Sequence, residues 1–322
     1  MSIEGTDDLG RQVDQTMRMF ERSRVGSSET VTPVVPTRVL LILDGSNQDE
    51  ASIAAAAHLR QRANTETVIL DASQASDIDL GDNSLAIAAV DRITGSRSIS
   101  RGPGEPYEAI LAAAAQVDPD MLIVPCPLGR SIDSLGSDST GTVADVLMAR
   151  CTQPILFIRQ PDHFLEAAAG RVRVLVGAEA SLHQRAAAWA FGMIADHGEV
   201  TLNLVIDREH FENIRAIIEA LHPEDDLDVS RFSEAMTQNH GSLHAAMSRT
   251  ASGRGLNYRL IPQTAEVAPP HAASGVDPIL MVMSLEAGDQ FNAGFVRDRL
   301  RHSPHPVLVV TDPASAKIEA SS

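Results

Sequence analysis

The chain is predicted to be an α/β protein built from two tandem, doubly wound parallel-sheet domains. Three observations carry that expectation. Apolar runs of strand length alternate with alanine-rich helical segments, the pattern of a parallel sheet wrapped on both faces. The same plan starts again at Gly170, an internal repeat with a period of about 130 residues and therefore a duplicated domain, not a solenoid. Hydrophobic residues make up 43% of the 322 positions but aromatic ones only 3%. The cores must then be Ala, Val, Leu and Ile, which suits helices lying close against a sheet.

Residues 1–35 open with a helical candidate, "LGRQVDQTMRMFERSR", and pass into the Ser/Thr/Pro-rich stretch "VGSSETVTPVVP", read as a flexible linker. The first domain is placed at 36–162. "TRVLLIL" (37–43) is a continuous apolar run, as a strand buried on both faces requires. "NQDEASIAAAAHLRQRA" (47–63) is a helix with acids in its first turn and arginines in its last, complementing the helix dipole. "TETVILDAS" (65–73) is the second strand, "NSLAIAAVDRIT" (83–94) a helix, and "SRSIS" a short strand. "GEPYEAILAAAAQV" (104–117) is a helix with proline near its start. "PDMLIVPC" (119–126) is a buried strand, "GTVADVLMARC" (141–151) a helix and "QPILFIRQ" (153–160) the last strand.

The second domain is placed at 170–313, with 314–322 as a tail. "GRVRVLVGAEASLHQRAAAWAFGMIADHG" (170–198) overlays the stretch from Thr37 onward, and "EVTLNLVID" (199–207) matches the second strand. "HFENIRAIIEAL" (210–221) and "GSLHAAMSRTAS" (241–252) are helices. "VDPILMVMS" pairs with "VDPDMLIVPC", and "HPVLVVTDP" (305–313) with "QPILFIRQP". That closing strand is apolar throughout. It is either an edge that pairs the two domains or a buried core strand.

Charge narrows the function. Acidic residues number 43 against 26 basic ones, for a net charge of −17, so a nucleic-acid backbone would be repelled. No apolar run approaches the ~20 residues of a membrane span, and the acidic, polar start "MSIEGTDDLG" does not resemble a targeting segment. The expectation is a cytoplasmic protein with neither membrane nor nucleic-acid partner. Two cysteines, Cys126 and Cys151, make no disulfide framework and fit a reducing compartment.

In an open parallel sheet, ligands bind beyond the carboxyl ends of the strands, where strand order reverses. The first strand ends in "LILDGS", placing Asp44, Gly45 and Ser46 at such an end. The loop after Val124, "PCPLGRSIDSLGSDSTGT", brings Gly129, Arg130, Ser139, Thr140, Gly141 and Thr142 to another. Glycines let backbone amides approach a phosphate, and the following helix start adds the positive end of its dipole. Asp44 would then accept hydrogen bonds from a sugar or base edge. Its competing role is to cap the next helix, for which Ser46 and Asn47 serve equally well.

These elements resemble the universal stress protein family, and the duplication resembles its tandem form, with an adenine nucleotide alpha hydrolase-like fold. The family opens on a strand ending close to V-D-G-S, and its nucleotide loop reads G-x2-G-x9-G-[ST]; the counterpart here is "CPLGRSIDSLGSDSTGT", with Gly129 as the second glycine and Gly141-Thr142 as the final pair. The resemblance covers 37–160, and 171–312 more weakly. It implies an ATP or AMP site, with Mg²⁺ as counter-ion, a role as sensor or regulator in stress response, pairing of the two domains within the chain and dimerisation as common in the family. Two departures stand out. Cys126 occupies the place of the first glycine, and Gly129 lies two residues further from Gly141 than the motif has it. Asp133 and Asp138 add negative charge to the loop; near a phosphate, each like charge at close range costs on the order of 4 kcal/mol unless offset.

In the second domain Gly177 stands where Asp44 does in the first, and the counterpart loop "SLEAGDQFNAGFVRDRL" has Gly288 and Gly294 without a Gly-Ser/Thr pair opening a helix. It is read as having lost the site. His240 and His244, spaced i,i+4, are read as a surface pair and not as metal ligands; Cys126 is read as a small buried hydrophobe, Trp189 as core, and "HPEDDLD" (222–228) as a solvated loop. No Walker loop, nucleophile elbow or H-E-x-x-H is present, so no catalytic residues and no metal ligands are assigned. A nucleotide-free scaffold and a slow ATPase remain as the alternatives to a nucleotide-binding regulator.

Overall fold

The computed structural model describes residues 30–73, 84–129, 140–177, 183–207, 237–265, 277–285 and 290–311, with 211–212, 215–216, 219 and 234–235. Among the described residues ten strands form one sheet: β1 (Arg38–Leu43), β2 (Glu66–Asp71), β3 (Arg97–Ile99), β4 (Met121–Pro125), β5 (Ile155–Ile158), β6 (Arg171–Val176), β7 (Glu199–Asp207), β8 (Asn257–Ala265), β9 (Leu280–Leu285) and β10 (Val307–Thr311). The helices are α1 (Asp49–Ala63), α2 (Ser84–Val90), α3 (Pro106–Val117), α4 (Thr142–Arg150), α5 (Leu165–Ala168), α6 (His183–Met193), α7 (Gly241–Gly253) and α8 (Gln290–His302).

Strand order is β3-β2-β1-β4-β5-β10-β9-β6-β7-β8. Read outward from the middle, both halves repeat one sequence of strands, with β6, β7, β8, β9 and β10 standing where β1, β2, β3, β4 and β5 stand. Every pairing is parallel except β5 with β10, where Val307 lies opposite Phe157 and Val309 opposite Ile155. Each half thus contributes its last strand to an antiparallel seam. The 305–313 run fills both roles open to it: β10 is fully buried and it joins the halves by edge pairing. β8, at the outer edge, has no counterpart among the strands expected from sequence.

Alternation along β1 explains the layers. Val39, Leu41 and Leu43 point into one core with α1, α2, α5, α6 and α7; Leu40 and Ile42 point into the other with α3, α4 and α8. In the first half the chain changes face between α2 and α3, on its way from β3 to β4. The strand order reverses there, and β1 and β4 lie side by side at the reversal.

The halves are also tied across one face. Residues ahead of β1 run over α6: Val31 N–H donates to Thr250 Oγ1 at 2.8 Å and Val34 N–H to the Ala188 carbonyl at 2.9 Å. Gly192 permits the crossing, because a Cβ there would stand 1.6 Å from the Val34 carbonyl oxygen. Arg62 at the end of α1 donates to the carbonyls of Met193 (2.6 Å) and Ile194 at the end of α6, satisfying carbonyls that a helix end leaves open. Residues 1–29 and the tail lie outside the described residues. Among the described residues no helix is long and apolar enough to cross a membrane.

Candidate functional site

Asp44 follows the last residue of β1 and is 7% exposed. Its carboxylate closes two loops together. Oδ1 accepts the Ser46 amide at 2.9 Å, and Oδ2 accepts the Gly129 amide from the loop after β4. Asp44 does not cap α1, and neither do Ser46 and Asn47: the N-cap is Gln48, without a side-chain bond. Asp49, in the first turn of α1, reaches backwards and accepts the amides of Asp44 (3.1 Å) and Gly45 (2.8 Å). Gly45, at φ +79°, makes the sharp turn this requires.

Two carboxyls therefore share one strand end. Burial first, and the Asp44 charge second, raise the Asp49 carboxyl from its ordinary 3.8 to about 7. By sequence Asp49 is one of two acids complementing the helix dipole. The structure leaves that surface role to Glu50, held by Arg92 at 2.8 and 2.6 Å.

On the β4 side, Gly129 (φ +72°) and Gly141 (φ +77°) take backbone conformations that suit glycine. A Cβ on Gly141 would also lie 3.3 Å from Pro127 Cβ. Gly141 is the N-cap of α4 and brings no side chain of its own to the first-turn amides. Thr140 is buried; its carbonyl accepts from Cys126 Sγ at 3.3 Å and its hydroxyl lies 3.4 Å from Asp145 Oδ1. Asp44, Gly45, Ser46, Gly129, Thr140, Gly141 and Thr142 thus gather at the adjacent ends of β1 and β4. Arg130 and Ser139 lie outside the described residues.

Cys126 is fully buried and burial pushes its thiol to about 12, so it serves as core and is not a reactive thiolate. Beside it stands Arg159, 1% exposed, with Nη1 3.9 Å from the sulfur. Its backbone carbonyl accepts from Gln48 Nε2 at 3.3 Å. Burial, partly offset by Cys126, lowers the pKa of this guanidinium. The arginine places a cation one strand over from the glycine loop, a feature that sequence reasoning missed. The signal is there: "ILFIR" ends an apolar run on a charge just as "LLILD" does. A separate depression of about 450 Å³, lined by Ala54, Phe164, Leu165, Glu166 and Ala167, includes none of these residues.

In the second half Gly177 follows β6, and a Cβ added there would meet nothing within 4 Å. Gly294 lies inside α8 and is not a loop glycine. His240 is not a surface residue: it is 2% exposed and packs on His183, while His244 bonds Tyr258 Oη at 2.9 Å. Trp189 is core, 3% exposed.

No protein-family model matches the chain, and no curated protein does. Solved structures do match. A universal stress protein from Archaeoglobus fulgidus DSM 4304 superposes with a TM-score of 0.54 at 15% identity, over 86% of this chain and 98% of that one. A putative universal stress protein from Pseudomonas aeruginosa UCBPP-PA14 gives 0.59 at 14% identity, over 89% and 98%. A functionally unknown protein from Pseudomonas aeruginosa PAO1 gives 0.57 at 12% identity, over 89% and 98%. The fold is the universal stress protein fold. At these identities the likeness is one of architecture.

Proposed function

We propose that the chain is a tandem universal stress protein-like regulator that binds one adenine nucleotide, ATP or AMP, at the strand ends of its first half. The observation that carries this reading is the Asp44–Gly129 clasp, which sets an acid at the end of β1 against the glycine loop leading into α4. An ionised carboxylate offers about four acceptor positions, and the bonds to Ser46 and Gly129 take two; the others suit ribose hydroxyls. Ser46 Oγ and Gln48 Oε1 are buried at the same end without a hydrogen-bond partner among the described residues, and polar atoms so placed are ordinarily satisfied. The α4 N-terminus, with Gly141 and Thr142, would receive phosphoryl oxygens, and Mg²⁺ would offset the loop's acids. Matching strand order in the two halves supports the tandem reading, with the second half as a structural partner.

A nucleotide-free scaffold is the second reading, favoured by the fact that both Asp44 oxygens are already engaged with the chain's own amides. Ultraviolet absorbance and mass spectrometry of the purified chain separate the two. Co-purified adenine nucleotide that disappears in Gly141→Ala supports the regulator; a chain that emerges bare and stays bare after incubation with ATP and Mg²⁺ supports the scaffold.

A further inference from the structure

β2 ends as β1 does, on an acid. The stretch "ETVILD" closes an apolar run at Asp71, which pairs in register with Leu43, the residue before Asp44. The two acids therefore sit at the ends of neighbouring strands, whose spacing is about 4.8 Å. Asp71 is 3% exposed. Its Oδ1 accepts the Ser73 amide at 3.0 Å and the Ser73 hydroxyl at 2.6 Å. Its Oδ2 is buried with no hydrogen-bond partner among the described residues. Arg101, beyond β3, does not supply one: it donates to the Ser73 carbonyl at 2.5 Å and to the Gly104 carbonyl at 3.0 Å.

A buried polar atom left unpaired is costly, and on a carboxylate the charge adds to the cost. Native structures rarely keep one without a reason. The turn after β2 does not need this oxygen, since Oδ1 alone holds Ser73. A carboxylate oxygen only accepts, so the group it awaits is a donor. A phosphoryl group, with its acceptor oxygens and negative charge, does not qualify. Placement agrees. In the nucleotide reading the phosphates lie at the start of α4, which follows β4, and β4 flanks β1 on the side away from β2. From β4 across β1 to β2, the strand ends would then meet phosphate, ribose and base in turn. The ribose hydroxyls go to Asp44. One donor remains on an adenine nucleotide, the exocyclic amine of its base.

We infer that Asp71 is the base-reading residue of the first-half site, its Oδ2 accepting the exocyclic amine of adenine. The inference rests on the nucleotide reading above and adds a basis for choosing adenine. Hypoxanthine and guanine carry a carbonyl oxygen at that position, and two acceptors face to face repel. Asp44 and Asp71 need not converge on one atom, because ribose and amine are separate groups of one ligand. The test is calorimetric titration of the full chain, with Mg²⁺, by ATP, by ITP (a carbonyl in place of the amine) and by purine riboside triphosphate (no amine). The parent should bind ATP at least about tenfold tighter than either analogue, since a site built to pair a polar group rejects ligands without it. Asp71→Asn keeps an oxygen for Ser73 and presents an amide NH₂ in place of Oδ2. Its preference for ATP over ITP should fall at least about tenfold, while Ser73→Ala, which retains Oδ2, should keep the parent's preference. A parent that binds none of the three removes the nucleotide reading, and this inference with it. Nucleotide bound with equal affinity for ATP and ITP, or a preference unchanged in Asp71→Asn, overturns the base assignment alone. Where the variant fails to fold, the parent decides: equal affinity for ATP and purine riboside triphosphate overturns the assignment.

Discussion

At the end of β1 the chain places Asp44, and at the corresponding end of β6 it places Gly177. The two ends have been closed in opposite chemical senses. In the first half a carboxylate reaches out from the strand end and takes an amide from the glycine loop. In the second the strand end offers only backbone, and an imidazole from α7 comes to it. One sheet plan therefore tolerates an anionic or an imidazole-lined floor, because strand order fixes where loops converge while the side chains there decide what charge they can meet.

Removing the acid should have the greatest consequence. Asp44→Ala removes two part-buried hydrogen bonds, from the Ser46 and Gly129 amides, and should cost about 3 kcal/mol in urea unfolding, at about 1.5 kcal/mol each. A cost near zero would mean that the clasp holds nothing together. Next, Gly141→Ala should lose about 1–3 kcal/mol, since its φ of +77° and ψ of 151° belong to a region open essentially to glycine and Pro127 crowds the new methyl.

A pH series separates the two ends further. Asp49 holds its proton more tightly folded than unfolded, because its carboxyl is raised to about 7 by burial and by Asp44. Its contribution to stability is therefore present at pH values below its ordinary 3.8 and is lost as pH rises toward 7. The urea midpoint should fall between about pH 4 and about pH 7, and Asp49→Asn should flatten that fall. A parallel slope in the variant would remove Asp49 as the cause. The least effect belongs to the other end. Gly177→Ala, with no atom within 4 Å of the added carbon and no positive φ, should change stability by no more than about 0.5 kcal/mol.

Much of this is legible in the sequence because parallel strands buried on both faces leave unbroken apolar runs. "VLLIL", "MLIVP" and "ILFI" mark β1, β4 and β5, and the charge that ends a run marks a strand end. What escapes depends on contacts distant in sequence. Asp49 sits where a dipole-complementing acid would sit, and only the fold shows its carboxylate turned back to Gly45. His240 and His244 look like a surface pair by helical spacing alone, but His240 is an N-cap and finds its neighbour on α6. Gly294 resembles a loop glycine because no capping pair announces the start of α8 at Gln290. β8 escapes because "NYRLIPQTA" mixes polar residues with a proline, as suits a sheet edge and not a buried run.

Calorimetric titration of the full chain with ATP and Mg²⁺, beside its Asp44→Asn and Gly177→Ala variants, decides whether the acid-bearing end is a nucleotide site. A single site per chain is expected, weakened by about tenfold or more in Asp44→Asn, a loss of about 1.4 kcal/mol, and unaltered in Gly177→Ala. No heat of binding in the parent chain, or equal affinity in Asp44→Asn, would refute the proposed role.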